Sequence, residues 1–400
     1  MAFRLNTFHQ VGRTSLARYP CPVPGRRLQF QRLAVHTGLL SQRSPAGTPA
    51  WKPKNQERLQ STLPYTGHPL PPPSSWTPPT KGILSKLPPS WVPFAELSRI
   101  EKPGGLYGFY MAYLIGLGYG ACLVPAVIPP SAIAQTAAVL LVYNVFLRGA
   151  ACTVNDILDR EYDRQVARCK NRPVARGAVT PAQAYVWYAA QTVGAAASIA
   201  CLPNPMLALA YAVPIQLVVS LYPLGKRFTD FPQLILSAPI AGGLLMASAS
   251  VGLDPFDMSS LAITGATASL TLSHYIWTTI FDYVNACQDT RDDIEAGVRS
   301  MAVRYHDTKA FITTLGAAQV GCLVLTGILG GFSPIYFIGA AGGNALWLTS
   351  MAMTVKRSRP DVCAWWFAWG GLLVSGTTAA ALFAEYYYKR LYNEPEGSLE

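Results

Sequence analysis

The sequence predicts an all-α, polytopic membrane protein in which nine transmembrane helices bundle around a central cavity. Three observations carry that expectation. The 400 residues are 50% hydrophobic and only 13% charged, whereas ordinary soluble domains carry about a quarter charged residues. From about Gly104 to Tyr387, long apolar runs alternate with short charged loops, the pattern of repeated bilayer crossings. Lysine and arginine gather in every second loop, which fixes a sidedness.

The elements follow in chain order. Residues 1–60 form a basic leader. Up to residue 56 it holds Arg4, Arg13, Arg18, Arg26, Arg27, Arg32, Arg43, Lys52 and Lys54, and the first acid is Glu57. With interspersed Ser, Thr and Gln and no long apolar core, this is a mitochondrial transit-peptide composition. Residues 61–93 form a linker, with ten prolines between 64 and 93 favouring extended chain. Trp91 and Phe94 read as interface anchors, and Ser90–Lys102 as a short amphipathic helix on the membrane surface. Residues 94–390 form the intramembrane domain, and 391–400 a polar tail. The nine spans are expected near 104–127, 132–154, 181–201, 206–223, 232–253, 260–284, 309–331, 334–355 and 362–387, each long enough for ~30 Å of hydrocarbon.

Loop charge sets the topology. Segments 156–180, Gly225–Phe231, Cys287–Thr308 and Lys356–Asp361 are charged. Ile128–Ser131, Leu202–Pro205, Asp254–Ser259 and Gly330–Ser333 carry no Lys or Arg. The N-terminus and the even-numbered loops therefore share one side, expected to be the matrix face of the mitochondrial inner membrane; the tail from Tyr388 lies opposite. The net charge of +11 sits in leader and loops rather than on one soluble module, which argues against a nucleic-acid partner. The eight cysteines are scattered without a CxxC, so neither a zinc site nor a disulfide framework is expected.

The chemistry concentrates at two helix ends. In Asn155-Asp156-Ile157-Leu158-Asp159-Arg160-Glu161-Tyr162-Asp163, the aspartates are spaced +3 and +4 and line one face of a helix. Like charges so arranged repel unless a cation, usually a divalent metal, sits between them. A second cluster, Asp282, Asp289, Asp292 and Asp293, ends another even-numbered span on the same side, so one shared site is expected. Phosphate-holding cations flank both: Arg168, Lys170, Arg172 and Arg176 after the first, Arg291, Arg299 and Arg304 after the second, with Tyr222-Pro-Leu-Gly-Lys226-Arg227 between. Arg148 lies within span two on the face of Asn155, where an ionisable residue is functional by default. Mg²⁺ prefers oxygen ligands and shares them with phosphate. A metal–phosphate cage above an apolar cavity fits a lipid diphosphate, and Tyr107, Phe109, Tyr110, Tyr113, Tyr143, Phe146, Tyr275 and Trp277 are candidate aryl faces for a cation formed on its loss.

The bland alternatives are a solvated helix end rich in capping Asn and Asp, Lys226 and Arg227 as positive-side anchors, and Arg148 bonded to backbone carbonyls. His274 reads as a hydrogen-bonded helix residue rather than a ligand. An ion-coupled transporter is the remaining class; it predicts ionisable residues near span centres, whereas these acids crowd one side.

Several of these motifs together resemble the UbiA superfamily of intramembrane aromatic prenyltransferases. Asn155-Asp156-x-x-Asp159-x-x-x-Asp163 followed by Arg168-x-Lys170-x-Arg172-Pro173 is similar to its first signature, and Asp282 with Asp289-x-x-x-Asp293 to its second. Tyr222-x-x-x-Lys226 resembles the motif between them, and Arg99-x-x-Lys102-Pro103-x-Gly105 the entry to the first span. The resemblance covers about residues 83–390. It implies a nine-helix bundle and Mg²⁺-dependent transfer of a prenyl group from an isoprenyl diphosphate to a phenolic acid. It implies that Asn155, Asp156, Asp159 and Asp163 hold one Mg²⁺ and Asp282, Asp289 and Asp293 the other, with Asp156, Asp159, Asp289 and Asp293 as the catalytic carboxylates. Arg172, Tyr222 and Lys226 would contact the diphosphate, Arg99 and Lys102 the incoming substrate, and Arg148 either the diphosphate or an aromatic carboxylate. The run Tyr283-Val-Asn-Ala-Cys-Gln288-Asp289 through Ser300 is most similar to the 4-hydroxybenzoate polyprenyltransferase branch of ubiquinone synthesis. Asn285, Cys287 and the Gly/Ala-rich first span resemble instead the fungal meroterpenoid enzymes, which farnesylate polyketide phenolic acids.

Overall fold

Proline and glycine set the element boundaries. Pro103, Pro130, Pro181, Pro205, Pro232, Pro334 and Pro360 each open a helix, at the position where the missing N–H costs nothing and the fixed φ suits the helix. The computed structural model describes residues 76–166 and 168–392; the leader, the linker up to residue 75 and the tail from 393 lie outside the described residues. The chain divides into Met1–Lys54 and Asn55–Glu400, and everything described belongs to the second unit.

The helices are α1 (Val92–Leu97), α2 (Pro103–Leu123), α3 (Pro130–Leu158), α4 (Arg160–Asp163), α5 (Pro181–Ile199), α6 (Pro205–Leu221), α7 (Pro232–Ser250), α8 (Leu261–Ala286), α9 (Thr290–Ala296), α10 (Met301–Arg304), α11 (Thr308–Leu329), α12 (Pro334–Tyr336), α13 (Gly343–Thr354), α14 (Pro360–Gly370) and α15 (Gly376–Tyr386). Single π turns, Phe337–Gly342 and Gly371–Ser375, join α12 to α13 and α14 to α15. No strand occurs among the described residues. Six helical stretches are long and apolar enough to cross a membrane: Pro103–Leu123, Pro130–Leu158, Pro205–Gly225, Pro232–Ser250, Thr308–Leu329 and Pro360–Arg390. The stretches expected to span at 181–201, 260–284 and 334–355 are helical as α5, α8 and α12–α13, but are not among those six.

Two local expectations change. The acidic run does not continue as one helix: α3 stops at Leu158, and Asp159 (φ −92°, ψ 5°) both ends α3 and starts α4. The Asn155 side-chain amide donates to Asp159 Oδ2 at 3.0 Å, an i,i+4 bond that spans the end of α3. The surface helix expected over Ser90–Lys102 folds only as α1. Arg99 then takes φ +50°, a left-handed conformation that ends a helix, and Pro103 restarts the chain as α2.

Small residues on α2 let it sit at the centre of the bundle. A Cβ on Gly116 would fall 2.1 Å from the Leu244 carbonyl oxygen, and one on Gly104 would fall 2.8 Å from Ala368 Cα. Here α2 meets α7 and α14 backbone to backbone, the close approach that small residues permit in membranes. Outward-facing apolar side chains such as Val186 and Val193 on α5, Leu209, Val213 and Leu217 on α6, and Leu325 and Ile328 on α11 remain exposed; in a bilayer they meet lipid rather than water. Buried polar pairs tie neighbouring helices, as where Gln319 Nε2 donates to Asn344 Oδ1 at 2.8 Å and Asn344 Nδ2 donates to Thr378 Oγ1 at 2.8 Å.

Candidate active site

Buried carboxylates need cationic or hydrogen-bonding partners, because desolvation penalises their charge. At the end of α3, Asp156 is 1% exposed and Asp159 0%. Their surroundings show how the chain meets this cost. Arg99 donates from Nη2 to Asp156 Oδ1 at 2.7 Å. Arg172 donates from Nη1 to both Asp163 oxygens at 2.8 Å, lies 3.5 Å from Asp156 Oδ1, and reaches Asn155 Oδ1 at 3.4 Å. One guanidinium therefore gathers three of the four first-motif side chains. Burial pulls the Arg172 pKa down, but the Asp163 and Asp156 carboxylates outweigh it and hold the guanidinium well above its ordinary value. It stays charged.

The second cluster is tied to the first. From the loop after α4, Arg168 donates Nε to Asp289 Oδ1 at 2.8 Å and also bonds Oδ2 through Nη2, a bidentate fork. Asp289 starts α9, and Asp293 is buried one turn on. Asp282 lies inside α8 and accepts from Asn285 Nδ2 at 3.4 Å. The turn Tyr222–Arg227 joins the same side: Arg227 donates Nη2 to the Leu158 carbonyl at 2.9 Å, a cation at the C-terminal end of α3 where the helix dipole favours it. The side chain of Lys226 lies outside what the structure describes.

Arg99, Arg148, Asn155, Tyr222 and Asp282 line one cavity of about 100 Å³, walled by Phe109, Phe281, Phe367, Leu236, Ile240 and Thr278. The structure thus brings first-motif, second-motif and intermediate-turn residues to a single chamber. Phe281 and Phe367 stack at 4.8 Å between ring centroids. Of the aromatic candidates, Phe109 lines this chamber. Tyr113 and Tyr143 instead pair edge-on at 5.7 Å in the core, and Tyr275 faces a separate groove, its hydroxyl donating to the Leu234 carbonyl at 2.9 Å. Lys102 is outside the chamber, its ammonium 3.9 Å from Glu101 Oε1 and largely exposed.

Arg148 is spent on backbone. Its guanidinium, on a residue 6% exposed, donates to the carbonyls of Arg99 at 3.0 Å and Lys102 at 2.9 Å, with Ser98 at 3.5 Å. Sequence reasoning missed Phe281 and Phe367. Phe281 was legible, being adjacent to Asp282 and three residues past Thr278 on one helical face. Phe367 carries no such signal, since only the docking of α14 onto α8 brings it in.

The donor set suits a hard divalent cation, being all carboxylate and amide oxygen. Asp156 Oδ2 is buried without a hydrogen-bond partner, a lone acceptor that such an ion would satisfy. Among the described residues, no three His, Cys, Asp or Glu side chains converge as a ready metal cage. The arginines hold the carboxylates instead, and in this arrangement they supply the positive charge.

Comparison with known proteins gives these features a family context. A sequence model described as the UbiA prenyltransferase family matches residues 111–389. The chain is 37% identical over 280 residues to the prenyltransferase ascA of Acremonium egyptiacum, covering 69% of this chain and 80% of that protein. It is 34% identical over 314 residues to the mitochondrial 4-hydroxybenzoate polyprenyltransferase of Saccharomyces cerevisiae, covering 78% of this chain and 80% of that one. In fold it is similar to a UbiA homolog from Archaeoglobus fulgidus bound to GPP and Mg²⁺, with a TM-score of 0.53, 17% identity, and coverage of 74% of this chain and 99% of that one.

Proposed function

The chain belongs to the UbiA prenyltransferase family and is a prenyltransferase, and we propose that it transfers a prenyl group from an isoprenyl diphosphate to the ring of a phenolic acid with Mg²⁺. The observation that carries this reading is the shared chamber: Asn155 of the first motif, Asp282 of the second, Arg99, Tyr222 and an aromatic wall line one cavity, and Arg99 joins it to Asp156. Asn155, Asp156, Asp159 and Asp163 would hold one Mg²⁺ and Asp282, Asp289 and Asp293 the other, and the bound metal would neutralise the diphosphate as a leaving group. The Archaeoglobus homolog bound to GPP and Mg²⁺ supports the use of a divalent metal and a prenyl diphosphate.

The chain's own residues do the rest. Arg99, Arg172 and Arg168 already sit on the carboxylates, so each is placed to turn toward the diphosphate oxygens as the head group enters. Tyr222 lines the chamber from the turn between the motifs, and Lys226 of the same turn would contact the diphosphate. Cleavage of the allylic C–O bond sends the electron pair to the diphosphate and leaves a carbocation on the prenyl chain. Phe109, Phe281 and Phe367 shelter that charge and exclude water. The ring carbon ortho to the phenolic hydroxyl attacks, a C–C bond forms, and the same carbon loses its proton to the departed diphosphate.

In this reading the chain crosses nine times, with the acidic loops on the matrix face of the mitochondrial inner membrane. Loop charge supports that orientation, and the mitochondrial yeast relative supports the compartment. Two acceptors fit: 4-hydroxybenzoate, on which the yeast relative's name rests, and a polyketide phenolic acid, favoured by Asn285 beside Asp282 in the chamber wall. The test is an assay of membranes containing the chain, with 4-hydroxybenzoate and an orsellinate-type acid each set against farnesyl and longer prenyl diphosphates. Prenylated 4-hydroxybenzoate assigns the first acceptor and prenylated orsellinate the second. No Mg²⁺-dependent product with any combination refutes phenolic-acid prenylation.

A further inference from the structure

The segment between α1 and α2 is built in a way that chain connectivity alone does not require. Among the described residues, Arg99 is the one non-glycine residue with positive φ, at +50°, a conformation that persists only where its surroundings over-determine it. Its surroundings are Arg148. The buried guanidinium donates to the carbonyls of Arg99 and Lys102, with that of Ser98 at 3.5 Å, closing the whole turn from below. A third element leaves room for it: a Cβ on Gly105 would fall 2.8 Å from Arg148 Nη2 and 3.0 Å from Nε. The product of this arrangement is the 2.7 Å bond from Arg99 to Asp156.

We infer that Arg148 is a positioning residue, which with Gly105 holds the 98–102 turn in the one conformation that delivers Arg99 to Asp156. Three of its five N–H donors are directed at main-chain carbonyls of this turn, and its Nε and Nη2 atoms lie against Gly105. The inference rests on the prenyl-transfer reading for its kinetic arm only; its structural arm is independent of activity.

The experiment uses the full chain in nanodiscs, with Mg²⁺, a prenyl diphosphate and a phenolic acid. Arg148→Gln lowers kcat by about 10- to 100-fold, the usual effect of losing a supporting residue, while KM for the phenolic acid stays within about twofold. In an Arg99→Ala background the same change costs less than about twofold, because residues acting as one unit are non-additive. Gly105→Ala, which keeps Arg148 and its charge, reproduces the kinetic pattern. Hydrogen exchange at the amides of residues 98–102 accelerates in both variants. The inference is overturned if Arg148→Gln raises the acceptor KM while kcat is preserved, or if its effect multiplies with that of Arg99→Ala. Unchanged exchange in Arg148→Gln overturns it whether or not any variant turns over. Absence of product in the wild type alone counts against the proposed function and leaves the exchange measurement to decide Arg148.

Discussion

Arg172→Ala removes a side chain that gathers Asn155, Asp156 and Asp163. The structure sets the size of the effect. Two Nη1–Oδ contacts of 2.8 Å and a third of 3.5 Å involve a guanidinium 17% exposed and carboxylates 6% and 1% exposed. At 2.8 Å and an effective dielectric near 20, one unit pair is worth about 6 kcal/mol before desolvation. Breaking a buried pair by deleting one partner costs about 3–5 kcal/mol. At about 2 °C per kcal/mol for a chain of this length, the variant should melt roughly 6–10 °C lower, followed by tryptophan fluorescence in detergent. Arg172→Ala combined with Asp163→Asn should recover much of that loss, since the carboxylate that loses its guanidinium is neutralised too. A single variant melting within about 2 °C of wild type, or a double variant no better than the single, would refute the claim that Arg172 neutralises the first motif.

Other consequences are testable by similar means. Asp230 accepts from Arg299 Nε at 2.6 Å and Arg304 Nη1 at 3.0 Å, and the Arg299 bond above all holds its carboxyl below the usual range. Because the folded pKa is the lower one, this stability is present above the ordinary carboxylate pKa and fades as pH falls through the depressed value. Asp230→Asn should therefore be less stable at pH 7, by at most about 1 kcal/mol for a partly exposed pair, and the gap should narrow as pH falls through the depressed value; a gap that widens in acid would contradict this. Gly116→Ala, with its Cβ 2.1 Å from the Leu244 carbonyl, should cost about 1–3 kcal/mol or more through forced separation of α2 and α7. An unchanged melting temperature would show that the helices part freely there. Arg227→Ala should lower stability by about 0.3–1 kcal/mol, losing the cation at the end of α3, and a larger loss of turnover than of stability would tie that turn to substrate.

Much of the fold could be read from one-dimensional signals. Proline at helix starts and apolar runs of span length mark α2, α3, α6, α7 and α11 to within a few residues. Two boundaries could not be read. The break at Asp159 falls where no proline or glycine marks it, and the left-handed turn at Arg99 is bonded by Arg148, 49 residues away. Side-chain identity at the site was legible because acids and arginines are expensive in a bilayer and therefore stand out. Their partnerships were not. Spacing said that Arg148 shares a face with Asn155, but not that the 98–102 turn would lie across its guanidinium. Phe367 enters the chamber wall only through packing of α14 on α8, which no local pattern encodes.

The central claim is that two acidic helix ends act as one site. The most direct measurement is Mg²⁺-dependent prenyl transfer by purified wild type, Asp156→Asn and Asp289→Asn, each first shown to be folded by its melting transition. Loss of about 4 kcal/mol of charge stabilisation corresponds to about 10³-fold in rate, so both variants should fall by at least that factor, and the pair combined no further. Retention of near wild-type activity by either folded single variant would contradict the shared site.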